Sequence, residues 1–171
     1  MKFGIAIFPS KKLQDLVNSY RKRYDPHYSL IPPHLTLVYP FETSEANVRE
    51  IVKQIEDITT NSQLIDLNIL KVSSFQPVNN VIYLKVDANE SLEALQKQLH
   101  NNVTDTEEEY SYVPHITLAQ KLSNDEHSDI LGQLSMLDFR HNEIVDRIHL
   151  LYQLDNNSWS VYETFRLGKE S

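Results

Sequence analysis

Cysteine is absent from the 171 residues of this chain, and glycine is scarce, with only three residues. Without a thiol the protein has no disulfide bond, no cysteine nucleophile and no thiolate metal site. This absence favours a cytoplasmic location, where disulfides are rare. Seven prolines among 40% hydrophobic residues give no sign of a linker, a collagen-like tract or a low-complexity tail. We therefore expect one domain, or one domain built from two similar halves.

Long hydrophobic runs are missing as well. A membrane-spanning helix needs roughly 20 consecutive apolar residues, and no segment of the sequence approaches that length. We therefore expect a soluble protein without a membrane partner. The formal net charge of -8 argues against an extended groove for a long nucleic acid, because such binding is mainly electrostatic. A short phosphorylated ligand is compatible with this charge.

One short motif occurs twice in the chain, as PHLTLVY at residues 33–39 and as PHITLAQ at residues 114–120. A short motif can recur by chance, so the two copies alone are only suggestive. The surrounding patterns strengthen the case, because strand-like and helix-like segments follow one another in the same order around both copies. We interpret the chain as a duplicated β-α-β-α-β unit, with repeat halves at about 1–78 and 79–171, that folds as two pseudo-symmetric lobes of a single domain.

Hydrophobic periodicity predicts the individual elements. Ser44 is a predicted helix N-cap, and Ser123 with Glu126 forms a predicted capping box. A hairpin that turns at residues 155–157 is predicted to add a last strand. The predicted strands beside the motifs are 2–8, 64–72, 81–86, 143–152 and 159–167, and the predicted apolar helix faces are those of Leu13, Leu16, Val17 and Tyr20, of Val48, Ile51, Val52 and Ile55, of Leu92, Leu95 and Leu99, and of Ile130, Leu131 and Leu134.

The two motifs carry residues suited to phosphate chemistry. His34 and Thr36 should point to the same face of a strand, and so should His115 and Thr117, because residues i and i+2 share a face. A histidine transfers protons near neutral pH, and a threonine hydroxyl is a neutral donor for an anionic oxygen. Two such sets facing each other would supply an acid and a base for in-line displacement at phosphorus, with no metal or other cofactor. The threonines would hold the non-bridging oxygens.

Structural interpretations stand beside this one. A single histidine on a strand is most often a hydrogen-bonded structural residue, and threonine is a favoured strand former. Tyr39 and Tyr112 could stack on a base, although aromatic residues in strands are more often core. Lys121 could attract phosphate or be solvated, and the acidic run at 105–110 is predicted to be a solvated loop. We assign the other histidines to surface or structural roles; they are His27, His100, His127, His141 and His149.

A zinc site is a further alternative for the two motif histidines. Zinc would need a third ligand such as a carboxylate, and the sequence has neither an HExxH motif nor a close pair of histidines. We therefore predict no metal ligand.

Two H-x-T-L motifs about 80 residues apart, in duplicated β-α-β-α-β halves, resemble the two-histidine (2H) phosphoesterase superfamily, also called LigT-like or 2′-5′ RNA ligase-like. The sequence around both motifs is most similar to that of the YjcG-like branch of Firmicute proteins. The resemblance implies a bilobal α+β fold with two antiparallel-rich sheets around a central cleft and helices outside. It also implies that His34 and His115 match the catalytic histidines of the family and that Thr36 and Thr117 match its phosphate-contacting residues.

The function expected from this resemblance is metal-independent cleavage of a 2′,3′-cyclic phosphate or of a 2′-5′ or terminal RNA phosphodiester. The expected partner is a small nucleotide or an RNA end. The alternative is a non-catalytic protein that binds a nucleotide or an RNA end in the same cleft. The motifs leave open which histidine is the base, the physiological substrate, whether ligation occurs, and the oligomeric state.

Overall fold

The computed structural model describes residues 1–104 and 111–168. The predicted acidic loop at 105–110 lies outside the described residues. Within the described ranges the chain forms eight strands and four helices. In chain order they are β1 (Lys2–Ile7), α1 (Lys11–Tyr24), β2 (Leu35–Glu42), α2 (Glu45–Thr60), β3 (Ile65–Ser74), β4 (Ile82–Val86), α3 (Glu90–Val103), β5 (His115–Ala119), α4 (Asn124–Leu134), β6 (His141–Val145), β7 (Arg147–Gln153) and β8 (Trp159–Arg166).

Each helix begins after a polar residue whose side chain accepts a hydrogen bond from the backbone of the first turn. The predicted N-cap at Ser44 is confirmed, and Ser123 and Glu126 form the predicted capping box. Ser10 and Asn89 cap the other two helices in the same way. The starts of the helices therefore follow from local sequence.

One residue of the predicted helix faces is wrong. Leu16 is 42% exposed, whereas Leu13, Val17 and Arg21 are buried. These three residues are spaced i, i+4 and i+8, so the centre of the buried face lies near Val17. Leu16 is turned roughly 100° away from that centre, because each residue of a helix advances about 100°. The buried face of α1 thus includes the charged residue Arg21 and excludes Leu16.

All eight strands belong to one sheet, in the order β6-β3-β4-β5-β2-β1-β7-β8, and every neighbouring pair is antiparallel. The predicted α+β class and the antiparallel character of the sheets are confirmed. We call β1, β2, β7 and β8 the first arm, and β3, β4, β5 and β6 the second arm. The two sheets expected from the family resemblance are continuous, because β2 of the first arm pairs with β5 of the second.

The arms do not each consist of one half of the chain. Strand β3 belongs to the first half of the chain. It nevertheless lies in the second arm, between β4 and β6. The segment predicted as one strand at 143–152 is divided at Asp146 into β6, which pairs with β3, and β7, which pairs with β1. The chain therefore crosses from one arm to the other at this point, and the predicted final hairpin of β7 and β8 completes the first arm.

The helices lock the two arms together. α1 follows β1 of the first arm but packs on β5 of the second, while α3 follows β4 and packs on β2. α2 packs on α3 and β8, and α4 packs on β3. None of the four helices in the described ranges combines the length and the apolar composition that crossing a membrane requires. Strand β1 is buried on both faces, since Gly4 and Ala6 are buried as well as Phe3, Ile5 and Ile7.

Candidate active site

The two motifs meet where the arms join. β2 and β5 pair antiparallel with Leu35 opposite Ile116, and both side chains are 0% exposed in the core. Side chains alternate along a strand, so the residues on either side of this central pair project to the opposite face of the sheet. That face carries the polar residues of both motifs.

Four polar side chains surround the Leu35–Ile116 pair. The antiparallel register sets His34 across from Thr117 and Thr36 across from His115. Cβ atoms of directly opposed residues lie about 4.5–5.5 Å apart, and those of diagonal neighbours about 7–8 Å apart. The two histidines form one diagonal and the two threonines form the other, so the motifs are related by an approximate two-fold axis between them.

A cleft of about 820 Å³ lies over this arrangement. All four predicted site residues line it, together with residues of both arms and of the segment before each motif. Its volume is within the range of small-molecule sites, about 300–1,000 Å³. The residues that the sequence singled out in two distant segments are therefore brought together at one concave surface.

Both histidines are oriented by the same local hydrogen bond. His34 Nδ1 lies 2.9 Å from the carbonyl oxygen of Pro32, and His115 Nδ1 lies 2.7 Å from that of Val113. A carbonyl oxygen only accepts, so each Nδ1 carries the proton and donates it. The neutral form of each ring then has an unprotonated Nε2. This arrangement leaves Nε2 as the atom that can take a proton from a ligand or, once protonated, give one to it.

The cleft keeps both rings uncharged. Burial lowers the pKa of His34 from 6.5 to about 4; the Pro32 carbonyl opposes the shift, and the positive charge of Arg21 adds to it. Burial also lowers the pKa of His115, against the effect of the Val113 carbonyl. Each imidazole is therefore neutral at neutral pH in the empty cleft, because the charged form is poorly solvated there.

His115 stands in an aromatic surrounding. The ring of Phe75 is perpendicular to it at a centroid distance of 5.0 Å, and the ring of Tyr83 lies at 5.2 Å. Phe75 and Tyr83 also stack on each other at 4.2 Å. These contacts restrict the rotation of the imidazole and exclude water from one side of it.

The two tyrosines predicted as possible stacking residues both line the cleft. The Tyr112 hydroxyl donates a hydrogen bond of 2.7 Å to the carbonyl oxygen of Thr36. Tyr112 therefore ties the segment before the second motif to the strand that carries the first. Tyr39 is 56% exposed, and its position at the edge of the cleft stays compatible with stacking.

A buried ion pair, missed by the sequence analysis, lies behind His34. The side chains of Arg21 and Asp25 are 2% and 1% exposed, with Nε and Oδ2 3.3 Å apart. The second oxygen of Asp25 accepts hydrogen bonds of 2.8 Å from the backbone N–H of His27 and from the amide of Gln120. The available signal was an arginine at the i+8 position of an otherwise apolar helix stripe.

Three consecutive carbonyl oxygens before the first motif each accept one hydrogen bond. The acceptors and donors are Leu30 with the backbone N–H of Trp159 at 2.8 Å, Ile31 with the guanidinium of Arg21 at 2.7 Å, and Pro32 with the imidazole of His34 at 2.9 Å. This segment therefore connects helix α1, the first motif and strand β8. Its geometry is fixed from three sides, which fixes the approach of the chain to His34.

The remaining predicted residues are placed as follows. Lys121 is exposed and does not line the cleft. His127 is 1% exposed and contacts the Ser74 hydroxyl at 2.6 Å, while His149 contacts the Thr164 hydroxyl at 2.9 Å. Two of the histidines assigned to surface or structural roles line the cleft instead, and they are His27 and His100. Over residues 1–104 and 111–168, no group of three or more histidine or carboxylate side chains is arranged to hold a metal ion.

Comparison with known proteins places the chain in a family. The model of the 2′-5′ RNA ligase superfamily matches residues 8–157. A protein of Bacillus licheniformis named "Putative phosphoesterase" is 57% identical over 168 residues, which are 98% of this chain and 99% of the relative. A protein of Bacillus pumilus with the same name is 57% identical over 170 residues, 99% of each chain.

Solved structures share the fold. The structural match with LigT of Escherichia coli covers 97% of this chain and 97% of LigT, with a TM-score of 0.74 and 15% identity. A Thermus thermophilus protein covers 100% of both chains, with a TM-score of 0.72 and 16% identity. At these identities the likeness shows the fold alone. The family match, in contrast, spans most of the chain and includes both motifs, so this protein belongs to the 2′-5′ RNA ligase superfamily and is a phosphoesterase.

Proposed function

We propose that this phosphoesterase cleaves a 2′,3′-cyclic phosphate or a 2′-5′ or terminal RNA phosphodiester without a metal, with His34 and His115 as general base and acid. The observation that carries the proposal is the crossing of two identical His-x-Thr sets at the Leu35–Ile116 pair, on the cleft face of the sheet. A phosphate group between the two diagonals would be flanked by one histidine on each side. In-line displacement at phosphorus needs this opposition of the entering and leaving oxygens.

The two histidines would act in sequence on one phosphorus centre. One neutral imidazole accepts the proton of the attacking water at Nε2, while the other, protonated at Nε2, gives its proton to the leaving oxygen. The hydroxyls of Thr36 and Thr117 donate hydrogen bonds to the two non-bridging oxygens and stabilise the charge that develops there. We assign the base to His34, because the positive charge of Arg21 opposes its protonation in addition to burial, whereas burial is the cause that lowers the pKa of His115.

His115 would gain its proton when the anionic substrate binds. A negative charge within about 4–6 Å favours the charged form of a histidine and so raises its pKa. The lowered pKa of His115 in the empty cleft is therefore compatible with the acid role. His115 takes up this proton from solvent as the substrate binds, and the empty site avoids two adjacent positive charges.

The charges of the cleft support a diester rather than a monoester. A phosphodiester carries one negative charge at neutral pH, whereas a phosphomonoester carries nearly two. Among the lining residues that the structure describes there is no lysine. The guanidinium of Arg21 is engaged by Asp25 and by the carbonyl oxygen of Ile31. Neutral donors therefore dominate around the proposed phosphate position, which suits the ligand of lower charge.

Nucleotide-sized ligands are supported by the structural neighbours. Crystal structures of E. coli LigT contain 3′-AMP, NADP+ and ATP. The cleft of about 820 Å³ in this chain has room for a ligand of that size. We infer that the substrate is a small nucleotide or the end of an RNA chain.

The test is turnover of a panel of 2′,3′-cyclic nucleotides and short 2′-5′-linked oligomers in EDTA. We expect turnover by the wild type and a loss of about 10²–10⁴-fold in His34→Ala and in His115→Ala. His141→Ala is the matched control, because His141 does not line the cleft. Thr36→Val and Thr117→Val should lose less activity, since each removes one hydrogen bond and no proton carrier.

Two results would contradict the proposal. Binding of nucleotides without turnover, unchanged in both histidine variants, would favour the non-catalytic binding protein. Turnover that requires a divalent metal would refute the metal-independent mechanism.

A further inference from the structure

The two sides of the cleft differ beside the motifs, although the motifs themselves are equivalent. On the first arm, Thr36 of β2 is paired with Ala6 of β1. On the second arm, Thr117 of β5 is paired with Tyr83 of β4. Equivalent positions next to the proposed phosphate thus hold a methyl group on one side and a phenol ring on the other.

The second arm is filled at this place. The ring of Tyr83 contacts those of His115 and Phe75, with centroid distances of 5.2 and 4.2 Å, and Tyr83 is 5% exposed. Phe75 and His115 line the cleft on this side, and Tyr83 packs against both of them without lining it. A ligand group larger than the phosphate would have to displace packed side chains to lie there.

The first arm carries small residues at the equivalent place. Gly4, Ile5 and Ala6 of β1 line the cleft, and neither Gly4 nor Ala6 has a side chain larger than a methyl group. A Cβ atom built on Gly4 would lie 3.4 Å from the carbonyl oxygen of Val38 and 3.9 Å from the indole of the Trp159 side chain. The indole therefore extends over the strand at the position where Gly4 has no side chain, and it lines the cleft.

The position of Trp159 is coupled to that of His34. The Trp159 backbone N–H donates 2.8 Å to the carbonyl oxygen of Leu30, and two residues later the carbonyl oxygen of Pro32 accepts from His34 Nδ1. The same short segment thus holds an aromatic side chain and a motif histidine on one side of the cleft. An indole that served only to fill the core would not need to line a cleft.

We propose that Trp159 is the stacking platform for the base of the nucleotide whose phosphate lies between the motifs, with the ribose over Ala6, between Thr36 and the indole. This inference rests on the proposed function. Paired residues of neighbouring strands lie about 5 Å apart, and residues i and i+2 of a strand lie about 7 Å apart. These two steps are perpendicular, so Thr36 and Gly4 are about 8–9 Å apart. This is similar to the distance between the phosphate and the centre of the base in a nucleotide. Stacking accepts every base, because each presents a π face.

The chain contains a single tryptophan, so its fluorescence reports on Trp159 alone. The probe is 3′-AMP, and the control is ribose 5-phosphate, which carries the same charged group without a base. We expect 3′-AMP to quench the emission as it saturates the site, and ribose 5-phosphate to leave it nearly unchanged. We also expect ribose 5-phosphate to bind on the order of tenfold to a hundredfold more weakly, because it lacks the stacking contribution.

Variants separate stacking from folding. Trp159→Leu should lower the affinity for 3′-AMP on the order of tenfold to a hundredfold and leave the affinity for ribose 5-phosphate unchanged, as measured by calorimetry. Trp159→Phe keeps a planar ring and should lose much less. Gly4→Val should weaken 3′-AMP binding, because its branched side chain would meet the indole and the Val38 carbonyl oxygen, and Gly4→Ala is its matched control. Val161→Ala, on the same strand as Trp159 but outside the cleft lining, should have no effect.

These experiments test stacking on Trp159 separately from catalysis. Equal affinity of the wild type and Trp159→Leu for 3′-AMP, or saturation without a change in emission, would overturn the platform. Turnover of adenosine 2′,3′-cyclic phosphate with the same kcat/KM in Trp159→Leu would also overturn it, while the proposed function stood. A base-dependent quench without turnover of any substrate would refute the proposed catalysis and support the platform.

Discussion

Acidification is expected to destabilise the wild-type protein by about 3 kcal/mol more than it destabilises a His34→Gln variant, between about pH 8 and about pH 4. The perturbation is chosen because the pKa of His34 is lowered by burial from 6.5 to about 4. Glutamine is of similar size and does not titrate. The difference between the two proteins therefore isolates the protonation of this one ring from that of all other groups.

The sign and the magnitude follow from proton linkage. Between pH 6.5 and about pH 4 the unfolded chain holds a proton on His34 that the folded protein does not hold. Stability therefore rises with pH across this window; the contribution is complete above the unfolded pKa and is lost as the pH falls toward the folded one. The interval between the two values corresponds to about 3 kcal/mol, at about 1.4 kcal/mol per pH unit.

The assay is urea denaturation of both proteins at a series of pH values, followed by circular dichroism. The free energy of unfolding of the wild type, minus that of the variant, should decrease steadily below about pH 6.5 and level off below about pH 4. A difference that stays constant within about 0.5 kcal/mol over this range would refute the conclusion that the cleft keeps His34 uncharged.

Three further predictions concern the supports of the site. Arg21→Met should lower the free energy of unfolding by about 3–5 kcal/mol, because it leaves a buried carboxylate unpaired. Lys11→Ala is the control: the side chains of the Lys11–Asp15 ion pair are 88% and 65% exposed, so its loss should change the free energy by less than about 1 kcal/mol. Urea denaturation measures both. Tyr112→Phe should cost about 1 kcal/mol of stability and lower kcat/KM, since the hydroxyl that donates to the Thr36 carbonyl ties the motif strands together; unchanged kinetics would contradict this role. Ser123→Ala should lose about 1 kcal/mol in thermal unfolding through its helix cap and leave turnover unchanged.

The sequence was sufficient for features that depend on neighbours along the chain. The cap at Ser44 and the capping box at Ser123 were predicted because a hydroxyl and the third residue after it define the start of a helix. Strand β1 and the turn at residues 155–157 were also predicted from local sequence. The common face of His34 and Thr36 follows from the strand period alone.

Features that depend on partners distant in the chain were not accessible in this way. The division of residues 143–152 at Asp146 sends two short strands to opposite arms, and apolar alternation gives no sign of which strand each will pair with. The burial of Arg21 was missed for a different reason. Its partners Asp25 and Ile31 are near in sequence, but they satisfy its charge and donors only in the folded protein, and an arginine is ordinarily expected at the surface.

Duplication alone would not decide which histidine is the acid and which is the base, because two equivalent histidines in equivalent surroundings have the same affinity for a shared proton. In the folded protein the surroundings of the two imidazole rings differ. The positive charge of Arg21 acts on His34, whereas His115 is packed against Phe75 and Tyr83. Under the proposed function, the two-fold crossing at Leu35 and Ile116 supplies opposed donors to one phosphate, which is itself nearly symmetric.

The direction of the reaction must then come from the parts that differ. A nucleotide has its base on one side of the phosphate, and the indole of Trp159, packed over Gly4 of β1, lines the cleft on the side of the first arm. If the base is held on Trp159, the nucleotide binds in one orientation only. The same imidazole then always faces the leaving oxygen. Filling Gly4 with valine should therefore lower the rate for nucleotides more than for a phosphodiester without a base. An equal loss for both would show that the two sides of the cleft do not distinguish the ends of the substrate.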